Sequence, residues 1–396
     1  MKINSERLLT HLDELKEITV TPGNGVTRFS YSKEDALARE YILNKARDHN
    51  CYIIEDPVGN VRMGLSSNSP DKKTIIAGSH IDTVKNGGWL DGIYGTMSAV
   101  EILFRLAEED VKGKYNFEAV FFAEEEGSNF GSTMTGSKFM TGIYTDPDLD
   151  KLIDDNGRTL RDILKIPALK PADVLLDHSQ FAYMYELHIE QGPVLDKLDI
   201  PVGIVRSISG MRVIEVTVDG VGNHAGTTPM TDRFDALCTA SECVLSAEKL
   251  VFRESVVTVG KMEIEPNCSN VIPEKVTFSL EVRDSDNDVI NQTMDNIISS
   301  IKEIAAARGV SVDIKEHSSS KPIYLDRDVI DFSEDIAKEK GIDYKVMPSG
   351  AVHDAAILAP HIPTGMIFVP SINGRSHGHQ KKRFAYRNSA SDRYYL

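Results

Sequence analysis

The sequence predicts an α/β protein with a smaller α+β domain inserted into a larger one. Three observations carry that prediction. Apolar runs of strand length alternate with helical periodicities over the first two hundred residues, the pattern of a sheet covered on both faces. Near residue 208 this gives way to alternating, half-buried strand patterns with two helices, and near residue 322 the first pattern resumes. The chain has 396 residues, enough for two domains at roughly 100–200 residues each. The expected division is 1–208 and 322–396 for the larger domain and 209–321 for the insertion.

Met1 to Arg7 runs straight into an amphipathic helix pattern, with no apolar core of a signal peptide. Thr74 to Gly78 is a short apolar run that ends at Ser79-His80. After the glycine-rich turn Gly87 to Gly92, residues Met97, Val100, Leu103, Phe104 and Ala107 recur at helical spacing. Glu118 to Ala123 reads as a second strand that stops at Glu124-Glu125-Glu126, and Tyr183 to Leu187 as a third that stops at His188. In the insertion, Arg212 to Val218 and Val276 to Val282 alternate as strands, with helices at Asp235 to Leu250 and Asp288 to Arg308. A helix at Asp328 to Gly341 and a buried strand at Thr364 to Val369 return the chain to the larger domain. Ser318 to Ser320 is read as loop.

Composition narrows the function. With 44 Lys+Arg against 60 Asp+Glu, the formal charge of −16 repels phosphate backbones and anionic lipid surfaces, so nucleic acid and membranes are not the expected partners. Cys51, Cys238, Cys243 and Cys268 show neither zinc-ribbon nor disulfide-framework spacing and read as reduced thiols. No apolar run approaches the ~18 residues of a membrane span. The expectation is a cytoplasmic protein acting on a small molecule.

All three apolar runs stop at a residue type that can bind a metal, or at an acid. Ligands of open α/β sheets bind outside the carboxyl ends of the strands, so these residues can converge there. His80 and Asp82 face the same way, two residues apart, and Asp91 follows in a loop. Taken alone, this motif is as readily a buried strand-end histidine with two turn aspartates. The acid run Glu124 to Glu126 is ordinarily a solvated helix start, but directly after Val-Phe-Phe-Ala it gathers negative charge that a cation would relieve. His188 and His377 add imidazoles, and His80, Asp91, Glu125, His188 and His377 form a mixed N/O set suited to two divalent transition metals.

These residues resemble a known family, the two-metal amidohydrolases of the aminoacylase and carboxypeptidase clan (peptidase family M20), in the branch of N-carbamoyl-L-amino acid hydrolases and allantoate amidohydrolases. The resemblance rests on Gly78-Ser-His-Ile-Asp-Thr-Val84 with Gly87 to Gly92, on Glu124-Glu-Glu-Gly-Ser128, and on His188-Ile-Glu-Gln-Gly192. It continues through Gly222-Asn-His-Ala-Gly-Thr-Thr-Pro-Met230, Asn270-Val-Ile-Pro273 and Gly350-Ala-Val-His-Asp354. Each fragment is weak alone. In family order, and together with the last ligand, they span residues 70 to 377 and are highly specific.

The resemblance implies a mixed-sheet catalytic domain of the zinc-peptidase type with a lid and dimerisation insertion, and hence a homodimer. It implies two divalent ions, Zn2+ or Mn2+, with Co2+ or Ni2+ compatible, bridged by Asp91. His80 and His188 complete one coordination sphere, and Glu125 and His377 the other. Glu124 matches the general base acting on a metal-activated water, and Asp82 the acid that orients His80. His224 matches the donor to the oxyanion, Asn270 and Arg283 the anchors of a substrate carboxylate, and Gln191 a polar substrate contact. The implied reaction is hydrolysis of a linear ureido or amide C–N bond, as in N-carbamoyl-L-amino acids, allantoate and other ureido acids. A dipeptidase or aminoacylase of the same clan and a catalytically silent binding protein are the competing readings. Three departures stand out: Asn129 where many members carry Arg, Val352 where many carry Gly, and Gly374-Arg-Ser-His-Gly-His-Gln-Lys381 where the family reads Pro and Glu in place of His379 and Lys381.

Overall fold

The computed structural model describes residues 1–111 and 113–374. The chain divides into two compact units, Met1–Arg206 with Tyr324–Met347 and the residues from Val352 onward, and Ser207–Ile323 with Pro348–Ala351. No helix among the described residues is long and apolar enough to cross a membrane.

The strands of the larger sheet are β1 (Cys51–Glu55), β2 (Val61–Leu65), β3 (Thr74–His80), β4 (Asn116–Phe122), β5 (Phe181–Ile189) and β6 (Val202–Ile208). The second unit supplies β7 (Gly210–Asp219), β8 (Asn223–His224), β9 (Val256–Thr258), β10 (Met262–Glu265), β11 (Val271–Ile272), β12 (Lys275–Asp284) and β13 (Ser311–Ser320). Strands β14 (Ile323–Tyr324), β15 (Tyr344–Ser349) and β16 (Thr364–Val369) follow. The nine-stranded sheet runs β1-β2-β4-β3-β5-β16-β6-β14, with β15 paired to β6. Its centre, β4-β3-β5-β16, is parallel.

Parallel pairing has a direct consequence for the site. The carboxyl ends of β3, β4, β5 and β16 all open on one edge, so His80, the residues after Phe122 and the segment around His188 converge there. Both faces of the sheet are covered, as the continuous apolar runs require. Ala77, Ala119 and Phe121 join Leu12, Ile42, Val100 and Phe104 in a core formed with helices α1 (Ser5–Lys16), α2 (Lys33–Asp48) and α3 (Ile93–Glu108). The alternate residues Ile76, Val120 and Phe122 face Met184, Leu358 and Ile362 on the other side.

In the second unit a five-stranded antiparallel sheet, β10-β12-β7-β13 with β9 on β12, packs one face on the helices Ala236–Lys249 and Asn287–Arg308. Period-two burial of Ile214, Val216 and Val218 and of Val276, Phe278, Leu280 and Val282 produces that face.

Two sequence expectations are corrected. Ser318 to Ser320 is the end of β13, paired to Val213, Arg212 and Met211 after a bulge at Glu316/Ser318. Its ladder is made by the backbone, so the polar side chains gave no apolar signal. The third strand does not stop at His188 but continues to Ile189, and His188 sits in the ladder opposite Phe368.

Helix α3 approaches β5 through Gly95, where an added Cβ would meet the carbonyl oxygen of Leu187 at 1.9 Å. Gly95→Ala is therefore expected to force helix and strand apart at a cost of about 1–3 kcal/mol. Thermal unfolding measures it, and an unchanged Tm would refute the close-packing account.

Candidate active site and metal centre

His80, the last residue of β3, is 2 % exposed, and its Nδ1 lies 2.9 Å from the backbone carbonyl oxygen of Asp82. That contact leaves Nε2 facing the sheet edge. His188 is fixed in the same way by the Ile189 carbonyl at 2.9 Å from Nδ1. Its Nε2 lies 3.3 Å from Asp91 Oδ1 and is buried with no hydrogen-bond partner. A buried imidazole nitrogen left unsatisfied is costly unless something else binds it. The ligand atoms of His80, Asp91 and His188 lie within 4.8 Å of one another, the scale of a divalent ion's coordination sphere, and all three residues are buried. The residues present thus fit a divalent metal.

The acid run divides its three carboxylates among different tasks. Glu124 takes a left-handed backbone conformation at φ +52°. Its Oε1 accepts the Asn129 backbone N–H at 2.8 Å and its Oε2 the Asn129 side-chain amide at 2.7 Å. Both oxygens are thus engaged with Asn129. Glu125 Oε2 lies 3.6 Å from His80 Nε2. Glu126 has a buried Oε1 with no hydrogen-bond partner, and after burial Asp91 is the charge that raises its proton affinity most.

Asp82 meets His80 through its backbone and also reaches the acid run. Its backbone carbonyl receives His80, while its carboxylate accepts the N–H of Glu125 at 3.3 Å and of Glu126 at 3.1 Å. The carboxylate remains 3.8 Å from His80 Nδ1. Asp82 therefore joins the β3 ligand loop to the acid loop after β4.

Gln191, also at positive φ (+58°), donates its side-chain amide to both oxygens of Asp91 at 3.1 and 3.0 Å. Gln191 thus stands directly beside Asp91. Glu190 beside it caps the short helix Val194–Leu198 by accepting the N–H groups of Val194 and Leu195.

Sequence reading assigned no role to Glu186, His353 and Asp354, which lie behind the ligands. Glu186, His188 and His353 form a second buried group within 4.8 Å. The His353 ring packs against His188 at 4.6 Å between centroids, and burial followed by the neighbouring histidines holds its pKa well below the usual value, so it is neutral. Glu186 accepts Ser79 Oγ and the Ala355 N–H, and Asp354 accepts Ser137 Oγ. The available signal was the Gly350 to Asp354 motif.

His224 and Asn270 lie in the second unit, where β8 and β11 pair and the Ala225 N–H donates to the Asn270 carbonyl. Both residues are exposed. His224 Nδ1 accepts the Gly226 N–H at 3.1 Å, which leaves Nε2–H as a free-facing donor. Arg283 is held by Glu281 through two hydrogen bonds of 2.6 and 3.1 Å and donates Nη1 to the Gly350 carbonyl. His377 lies outside the described residues.

The sequence matches the family described as peptidase family M20/M25/M40 over residues 76–386. It is 35% identical over 384 residues to an N-carbamoyl-L-amino-acid amidohydrolase of Pseudomonas sp. (strain NS671), covering 95% of this chain and 92% of that one. It is 34% identical to an allantoate amidohydrolase of Escherichia coli (strain K12), covering 93% of each. The crystal structure of an amidase of the hydantoinase/carbamoylase family from Burkholderia multivorans superposes with a TM-score of 0.88 at 31% identity, covering 96% of this chain and 94% of that one.

Crowding these acids without a cation has a pH signature. Burial, then Asp82, pushes Glu124 up to about 8, and burial, then Asp91 and Asp82, pushes Glu126 up to about 8. Between the ordinary glutamate value near 4.5 and 8, the folded metal-free protein holds protons that the unfolded chain has released. Its stability is expected to fall as pH rises through that window. Tm of chelator-treated protein should drop from pH 5 to 8, and saturating divalent metal should flatten the slope. A metal-free Tm that rises over this range would contradict the assignment.

Proposed function

The chain belongs to peptidase family M20/M25/M40, and from that premise we propose that it hydrolyses the linear ureido C–N bond of an N-carbamoyl-L-amino acid or a close relative such as allantoate. It is a hydrolase of C–N bonds other than peptide bonds, as its relatives are named. The observation that carries the metal reading is the buried His80, Asp91 and His188 triangle with its unsatisfied His188 Nε2.

In this reading His80, Asp91 and His188 hold one divalent cation, Zn2+ or Mn2+. Asp91 and Glu126 hold a second, with His377 as a further ligand by family resemblance. Bound there, the cations polarise the substrate carbonyl and lower the pKa of a water.

The acid roles move one residue along from the sequence expectation. Glu124 spends one acceptor site of each oxygen on Asn129, whereas Glu125 lies beside His80 Nε2. Glu125, beside His80 Nε2 and preceding the ligand Glu126, is the base that takes the water's proton and passes it to the leaving nitrogen. Burial and the surrounding carboxylates raise its proton affinity, which suits a group that must pick up a proton and release it. His224 donates Nε2–H to the oxyanion. Asn270 and Arg283 bind the substrate carboxylate, Arg283 through the guanidinium edge not spent on Glu281. The second units pair to form a homodimer.

Ammonia release from N-carbamoyl-L-amino acids in the presence of Mn2+, abolished by chelation, is the direct test. Full activity after metal removal, or cleavage of dipeptides with no ureido turnover, would refute the proposal.

Glu125→Gln should keep the metal and lower kcat about a hundredfold or more, the scale of general-base catalysis. Glu126→Gln should lose part of the metal measured by elemental analysis. Glu124→Gln should cost much less rate than Glu125→Gln, and the reverse order would restore Glu124 as the base.

A charge-assisted pair between Arg283 and the substrate carboxylate is worth roughly 1.5–3 kcal/mol, or about 10–150-fold in affinity. Amidating that carboxylate should therefore reduce kcat/KM far more for the wild type than for Arg283→Ala. Equal losses in the two enzymes would show that Arg283 is not the anchor.

A further inference from the structure

Arg28 is among the largest fully buried side chains, with 1 % of its surface exposed. A guanidinium in such a place is expensive, and removing it leaves its partners unpaired. Its Nε donates to the Ile81 carbonyl at 2.8 Å, and its Nη1 donates to the carbonyls of Leu15 at 2.9 Å and Ile18 at 3.2 Å. Ile81 is the residue between His80 and Asp82. Leu15 belongs to α1, so one side chain spans from a core helix to the ligand loop.

The backbone around Arg28 makes the same connection. Its N–H donates to Thr83 Oγ1 at 2.9 Å and its carbonyl accepts the Thr83 N–H at 3.0 Å. Thr83 Oγ1 in turn donates to the Val26 carbonyl, and Val26 exchanges two backbone hydrogen bonds with Gly87. Two residues beyond Arg28, Ser30 Oγ accepts the Glu124 N–H at 2.8 Å and the Ser30 carbonyl accepts the Asn129 amide. Residues 26–30 thus touch both ligand-bearing loops, the one after β3 and the one after β4. This segment precedes the stretch matched to the family, which begins at residue 76.

We propose that Arg28 is a positioning residue for the metal centre, its guanidinium fixing the His80 to Thr83 loop against α1 so that His80 is held in a ligand-ready position and the Asp82 carboxylate stays against the Glu125 and Glu126 N–H groups. The geometry of its three carbonyl bonds fixes position in a way a single ammonium cannot, because the planar fork reaches Ile81 and Leu15 at once. The charges of Asp35 and Asp82 offset part of its desolvation. Outer partners of this kind commonly change metal affinity 10–100-fold when removed. The inference rests on the metal site proposed above.

The test uses Co2+ as the probe, with affinity read by competition against a chelator and geometry by the visible absorption of the bound ion. Arg28→Met fills similar volume without donors or charge, and Thr83→Val removes the hydroxyl that links Arg28 to Val26. Ile301→Val, in the core of the second unit, supplies a destabilised control. Arg28→Met should bind Co2+ at least tenfold more weakly with an altered spectrum, Thr83→Val should shift in the same direction by less, and the control should change only Tm. Wild-type affinity and spectrum in both loop variants, with Tm alone lowered, would overturn the role. If Arg28→Met does not fold, Thr83→Val decides by the same readouts. Failure of the wild type to bind Co2+ would remove the metal site itself, a result distinct from failure of Arg28's role.

Discussion

Everything at the sheet edge is arranged around buried negative charge. Asp82, Asp91, Glu124 and Glu125 are each at most 6 % exposed, with Glu126 beside them and Glu186 and Asp354 behind. Carboxylates desolvated this closely cannot all ionise on their own, and burial and mutual repulsion raise Asp82, Glu125 and Asp354 above their ordinary values. Three kinds of relief are built in: backbone N–H groups aimed at Asp82 and Glu124, the guanidinium of Arg28, and a triangle of ligands ready for a cation. The parallel strands make the crowding possible, since they deliver their carboxyl ends to one edge.

The same constraint explains what was legible in the sequence. Strands β3, β4 and β16 and helix α3 were readable because each is covered on its buried side, and their apolar runs are therefore nearly continuous. The convergence of His80, Asp91 and His188 followed from the strand ends. The structure is mixed α/β with relatives of the expected family. What sequence could not supply was the register within Glu124-Glu125-Glu126. Three identical residues carry no internal signal; in the structure the left-handed turn falls at Glu124, whose oxygens accept from Asn129, and Glu125 Oε2 lies 3.6 Å from His80 Nε2. The N-terminal segment was equally silent, because Arg28 in Thr-Arg-Phe reads as a solvated residue until its carbonyl partners, 10 to 53 residues away, are in place.

Asn129 now has a physical account. Arginine at this position would bring a long cation, whereas asparagine brings a short amide that reaches Glu124 and the Ser30 carbonyl together. Glu124 is thus held by neutral donors, and its burial favours the protonated form, which adds no further charge. Val352 has no comparable explanation in the structure.

Substrate recognition follows from the same electrostatics. A chain of charge −16 repels an anionic ureido acid at long range, so attraction must come from groups that act only on contact. The larger unit offers at its sheet edge mainly acceptors and ligands, which a cation converts into a locally positive centre. The donors proposed for the substrate, His224 Nε2–H, the Asn270 amide and the Arg283 fork, belong to the second unit. Glu281 holds that fork in place before any substrate arrives, which lowers the ordering cost of binding but spends part of the charge. If Arg283 is the proposed anchor, one prepared in this way discriminates by geometry more than by charge, so a carboxylate placed one bond further from the ureido nitrogen would lose the contact although its charge is unchanged.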